Sequence, residues 1–155
     1  MKQLVRTPNG PQPLGPYSQG VIAGNLLFVA GQGATEPKTG QMAEGIEAQT
    51  RQTLANIKGI VEASGFSMRD VVKISIFLKN MDDFKRVNEV YKTFFAEAPP
   101  ARTTVEAKLP VQGMLIEIDA IAYRERFREI GLSSRTLQKQ NGAVSNGALS
   151  DQKRR

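Results

Sequence analysis

Apolar positions along this chain change period several times, and each change marks an element. Lys2–Arg6 reads as a short strand, and Gly20–Ala23 and Leu26–Ala30 as two more, flanking Gly24-Asn25 as a hairpin does. Between them, Asn9–Ser18 carries three prolines and two glycines and is predicted to be a loop. From Glu44 to Ala63 the period becomes helical. Ile46, Thr50, Leu54, Ile57 and Val61 share one face, with charged residues opposite. Gly65 then falls where a left-handed cap residue is expected. Val71–Leu78 returns to a period of two, with Val72, Ile74, Ile76 and Leu78 assigned to one face.

Asn80 is read as the start of a second helix, with Asp82 and Asp83 in its first turn, where the helix dipole favours negative charge. Phe84, Val87, Tyr91, Phe94 and Phe95 form its expected buried stripe, and Pro99-Pro100 its stop. By that spacing Tyr91 and the phenylalanines belong to the core and carry no function. Arg102–Lys108 and Leu115–Tyr123 are predicted as two final strands around a turn with Pro110 and Gly113. The order β-β-β-α-β-α-β-β specifies an α/β (α+β) two-layer sandwich, a six-stranded sheet with both helices on one face. The other sheet face then needs cover, and another subunit is expected to supply it.

After about Arg128 the periodicity ends. The stretch SSRTLQKQNGAVSNGALSDQKRR is polar and cannot bury enough surface to offset its ordering entropy, so a disordered tail is expected. The domain expectation is therefore residues 1–123 as one folded body and 124–155 as a basic polar extension. This division changes the meaning of the net charge of +6. Residues 1–123 carry 13 Lys and Arg against 12 Asp and Glu, whereas residues 124–155 carry 8 against 3. The body is nearly neutral, which disfavours a nucleic-acid interface on it.

The chain has neither Cys nor His. Disulfides, thiolate nucleophiles, Ser-His-Asp arrangements and the usual first-row metal ligands are excluded with them. Carboxylates, Arg, Lys, Tyr, hydroxyls and backbone amides remain, a set suited to substrates that are already electrophilic. The first residues, MKQLVRTPNG, lack the apolar stretch of a secretory signal, and no apolar run approaches ~20 residues, so a cytoplasmic setting without a membrane span is expected.

Four features could carry chemistry. Arg102 heads a strand directly after Pro99-Pro100; it reads either as a bidentate carboxylate ligand or as a surface arginine in a weak ion pair. Glu117 and Asp119 lie on one side of an otherwise aliphatic strand. They are either acids of raised pKa suited to proton transfer or edge-strand acids facing water. Gly31-Gln32-Gly33 follows a strand but lacks the rest of a dinucleotide motif, since position 36 is Glu; its glycines could still present backbone N–H groups to a small anion. Tyr17, on a proline-pinned loop, is a ligand contact or a plug over the core.

Gly-Pro-Tyr-Ser-Gln at 15–19, Ala-Gly-Gln at 30–32, Val-Asn-Glu-Val-Tyr at 87–91, Pro-Ala-Arg-Thr-Thr-Val-Glu at 100–106 and Ile-Glu-Ile-Asp-Ala-Ile-Ala at 116–122 together resemble the Rid (reactive intermediate deaminase, YjgF) family. The resemblance runs, in order, from near residue 2 to Tyr123. It implies a chorismate-mutase-like fold, a homotrimer with clefts between subunits, and hydrolysis of 2-iminopropanoate and 2-iminobutanoate without metal or cofactor. It further implies that Arg102 grips the substrate carboxylate and that Glu117 positions or activates water. Gly31 would offer a backbone amide, Tyr17 an aromatic lid, Asn88 polar support, and Thr104 would stand where many relatives have Cys. Ala30 departs from the Ser or Thr of many relatives and removes a hydroxyl from the ligand. Two other functions are compatible with such a chain: a non-catalytic module binding small carboxylates, and RNA binding or cleavage.

Overall fold

The computed structural model describes residues 1–125; the expectation of disorder beyond them lies outside the described residues. The strands are β1 (Lys2–Val5), β2 (Gly20–Ala23), β3 (Leu26–Gln32), β4 (Val71–Leu78), β5 (Ala101–Glu106) and β6 (Ile116–Tyr123), and the helices are α1 (Ile46–Ala63) and α2 (Phe84–Phe94). They form one mixed sheet in the order β1-β2-β3-β6-β4-β5. Only β4 and β5 pair in parallel, joined by a crossover through α2; every other neighbouring pair is antiparallel. The two-layer reading and the element order hold.

Alternation decides which sheet face is covered. On β6, Ile116, Ile118, Ala120 and Ala122 are buried, while Glu117, Asp119, Ile121 and Tyr123 point to the other side. The buried set meets Leu54, Ile57, Ile60 and Val61 of α1 and Val87 and Tyr91 of α2 in one core. Each fully buried Leu or Ile there contributes roughly 1.5–3 kcal/mol of transfer free energy. Gly65, at φ 78°, ends α1 in the left-handed conformation expected of it. The opposite sheet face has no covering element among the described residues, and Phe28, Val105 and Tyr123 stay exposed on it.

Three local expectations need correction. The β4–β6 register shifts between Val71 and Lys73, so Val71 joins Ile74, Ile76 and Leu78 in the core and Val72 is 46% exposed. An irregularity of this kind reverses strand alternation, which a pattern of apolar residues cannot reveal. Asn80 caps a 3₁₀ turn, Met81–Asp83, by accepting from the Asp82 N–H, and α2 proper begins at Phe84. That helix ends at Phe94, before the prolines. Of its expected stripe, Val87, Tyr91 and Phe95 are buried, Phe94 is half-buried, and Phe84 is exposed. Phe84 faces Arg102 instead of the core.

Candidate active site

A cavity of about 330 Å³ opens where three stretches meet: the loop Pro11–Tyr17, the end of β3 with Gly31 and Gly33, and the turn bearing Pro110, Val111 and Met114. Glu117 of β6 and Ala30 also line it. The prolines stiffen two of these walls, since φ at each is fixed.

Glu117 reaches the cavity because strand alternation turns it away from the core. Its carboxyl lies directly against the backbone of Gly31, where a Cβ would come within 2.1 Å of Oε1. Only glycine admits this approach. The β3–β6 register shifts between Val29 and Gln32, so the irregularity spans Ala30-Gly31, and both of these residues line the cavity. Burial pushes the Glu117 pKa up from its ordinary value, and the charge of Asp119 on the same strand face adds to the rise. Of the two readings open from sequence, the acid of raised pKa is the one the geometry supports.

Tyr17 stands at the lip of the cavity, half-exposed, with its hydroxyl accepting a hydrogen bond from the Leu14 N–H at 3.1 Å. It is no plug over the core.

Arg102 lies elsewhere. In the parallel β4–β5 ladder it pairs with Ile74, a fully buried residue, and so points to the helical side of the sheet. Glu117 pairs with Phe77 and points to the opposite side. The Arg102 guanidinium rests over Tyr91, 4.7 Å from the ring centroid, and over Phe84 at 5.4 Å. Such cation–π contacts contribute ~0.5–2 kcal/mol each and hold the planar group in place. Among the described residues no carboxylate lies within ion-pair distance of it, and its partners there are the two rings. Asn88, one turn from both rings on α2, shares this face. Its Oδ1 and the Tyr91 hydroxyl are buried without a hydrogen-bond partner among the described residues. Burial pushes the Tyr91 pKa up to about 12, against the lowering pull of Arg102. Thr104, half-buried, pairs with buried Ile76 and lies on the same side of β5.

The six candidate residues thus fall into two groups within one chain: Tyr17, Gly31 and Glu117 around the cavity, and Arg102, Asn88 and Thr104 at the sheet edge. Sequence reasoning missed Leu14, Pro110, Val111 and Met114 as cavity walls, and it placed Phe84 in the core, where it is in fact exposed; Tyr91 is buried in the core as expected, but both rings also seat the arginine. A signal existed for the latter, since Phe84, Asn88 and Tyr91 repeat at helical spacing around a polar residue. Among the described residues no group of three or more Asp or Glu side chains is placed to hold a metal ion.

The model of the endoribonuclease L-PSP family matches residues 7–124. A RutC family protein of Pyrococcus horikoshii is 52% identical over 126 residues, covering 81% of this chain and all of that protein. The 2-iminobutanoate/2-iminopropanoate deaminase of Salmonella typhimurium is 46% identical over 128 residues, covering 80% of this chain and 99% of that one. The structure of Escherichia coli TdcF with bound serine superposes with a TM-score of 0.76 at 38% identity, covering 79% of this chain and 99% of that one. With its sheet order, its helices and its motifs matched over this length, the chain belongs to the endoribonuclease L-PSP family, the Rid (YjgF) family that its motifs resemble.

Proposed function

We propose that this protein hydrolyses 2-imino acids such as 2-iminopropanoate and 2-iminobutanoate to 2-keto acids and ammonia, at clefts between the subunits of a cytoplasmic homotrimer. One observation carries the reading. Glu117 and Arg102 sit on opposite faces of one sheet, each incomplete alone. The cavity holds an acid of raised pKa and no cation among its lining residues. The sheet edge holds a guanidinium with no carboxylate partner among the described residues, beside two buried polar atoms without a hydrogen-bond partner among them. A second copy laid on the uncovered face would join one protomer's cavity to its neighbour's arginine.

In that cleft Arg102 binds the substrate carboxylate in bidentate fashion, with the Gly31 backbone and Tyr17 closing around it. The iminium carbon is already electrophilic. A water oxygen adds to it while one water proton passes to the Glu117 carboxylate. The resulting carbinolamine takes that proton on nitrogen, the C–N bond breaks, and ammonia leaves as the hydroxyl passes its proton to the freed Glu117 carboxylate to form the ketone; that proton then leaves to solvent, where ammonia takes it up as ammonium. General acid–base help of this kind contributes ~10²–10⁴-fold, and orientation contributes further. The deaminase name carried by the Salmonella relative and the serine bound to TdcF, a small amino acid with a carboxylate, support the reading.

The test is keto-acid release from imines generated in situ by an amino-acid oxidase, with wild type and Arg102→Ala compared. The reading expects acceleration by wild type and its loss in the variant. Binding of 2-ketobutyrate without turnover in wild type would instead identify a carboxylate-binding module.

A further inference from the structure

Three buried carboxamides stand behind the three walls of the cavity, and none of them lines it. Gln19, 1% exposed, donates through Nε2 to the carbonyls of Thr7, Gly10 and Pro11 at 3.0, 3.0 and 2.9 Å, and its Oε1 accepts from the Thr7 N–H at 2.7 Å. Asn56, 1% exposed, donates to the carbonyls of Gly33 and Thr35 at 2.9 and 2.8 Å, and its Oδ1 accepts from Gln52 at 2.9 Å. Gln49, 2% exposed, donates to the Gly113 carbonyl and accepts from the Leu115 N–H, both at 2.8 Å. Each wall is a loop with backbone groups that no sheet or helix satisfies, and each is held by one side chain: Gln19 and Gln49 offer donor and acceptor together, and Asn56 offers donors to two carbonyls.

The chemistry of the amide fits this task better than a charge would. A buried carboxylate or ammonium in these positions carries a desolvation cost of several kcal/mol, and its field would displace the ionisation of Glu117. A neutral amide satisfies the loops and leaves that acid alone. The first wall is seated from below as well: a Cβ on Gly59 of α1 would come within 2.2 Å of the Asn9 carbonyl oxygen.

We propose that Gln19, Gln49 and Asn56 are positioning residues that hold the cavity walls in their substrate-binding arrangement. The proposal rests on the deaminase reading for its consequence in turnover but not for its structural content. Two measurements on the full chain separate these. Hydrogen exchange of the Gly10–Tyr17 amides should be faster in Gln19→Met than in wild type. It should also be faster in Gly59→Ala, which favours the helix but displaces Asn9. Unchanged exchange in both overturns the proposal, whatever the enzyme does.

In the imine assay, each folded variant, including Gln49→Met and Asn56→Leu, should raise KM about tenfold or more while kcat stays within about threefold, because Glu117 and Gly31 keep their contact. Wild-type KM in folded variants overturns a positioning role and leaves a structural one. Gln19→Glu adds a readout that stability alone would not move. Its ratio of KM to wild type should fall as pH is lowered, when the protonated acid regains one donor. Absence of turnover by wild type would sink the deaminase reading, and the exchange data would still decide the role of the amides.

Discussion

The Glu117 carboxyl and the Gly31 backbone touch so closely that a single methyl group between them would come within 2.1 Å of Oε1. This contact fixes where the acid points, and it makes the glycine as necessary as the glutamate. Gly31→Ala should therefore swing Glu117 out of the cavity and lower kcat about 100-fold, the order expected of a ~1 Å misplacement. Steady-state kinetics of the variant, with circular dichroism to check folding, would measure it; activity near wild type would refute the arrangement.

Arg102 is seated by two rings and has no carboxylate partner among the described residues. Its replacement by Lys keeps the charge but loses the planar fork. Arg102→Lys should lose about 10–100-fold in kcat/KM, since a hydrogen bond to a charged group contributes ~1.5–3 kcal/mol. Thermal stability should fall only slightly. A variant with full kcat/KM would remove the arginine from the site.

The pH profile offers a third check. Asp119 raises the pKa of Glu117 beyond what burial does alone. If Glu117 accepts the proton from water, the acid limb of kcat/KM follows its ionisation. Asp119→Asn removes a like charge and should shift that limb to lower pH; Glu117→Gln should abolish it. A limb that stays in place in Asp119→Asn would mean that another group titrates.

The same shift has a consequence for stability. A carboxyl whose folded pKa lies above its unfolded value favours folding fully when both states are protonated. That contribution is lost as pH rises through the folded pKa. Ionised Glu117 thus burdens the fold at neutral pH. Glu117→Gln should raise Tm there, with the difference from wild type vanishing on acidification, as differential scanning would record. A lower Tm for the variant at neutral pH would contradict the assignment.

Charge distribution separates deamination from RNA binding. Residues 1–125 carry 14 Lys and Arg against 13 Asp and Glu. A chain shortened to residues 1–125 should keep imine hydrolysis and show no salt-dependent affinity for RNA in a filter or gel assay. Retained affinity would locate an RNA site on the folded body.

Local pattern was enough for much of this protein. Periodicity placed all six strands and both helices, the Gly24-Asn25 turn and the Gly65 cap, because each depends on neighbours a few residues away. The lack of His and Cys narrowed the chemistry to carboxylates, Arg, Lys, Tyr, hydroxyls and backbone amides, and the spacing of motifs around Tyr17, Gly31, Arg102 and Glu117 pointed to the family. What the sequence did not contain was facing. Whether Val71 or Val72 enters the core, and that Arg102 and Glu117 leave the sheet on opposite sides, follow from strand register and irregularities set by partners far along the chain. The bracing of three loops by Gln19, Gln49 and Asn56 likewise joins residues up to 66 positions apart. Such pairings are chosen by the collapse of the whole core, where buried polar groups must find partners, and no local window holds that information.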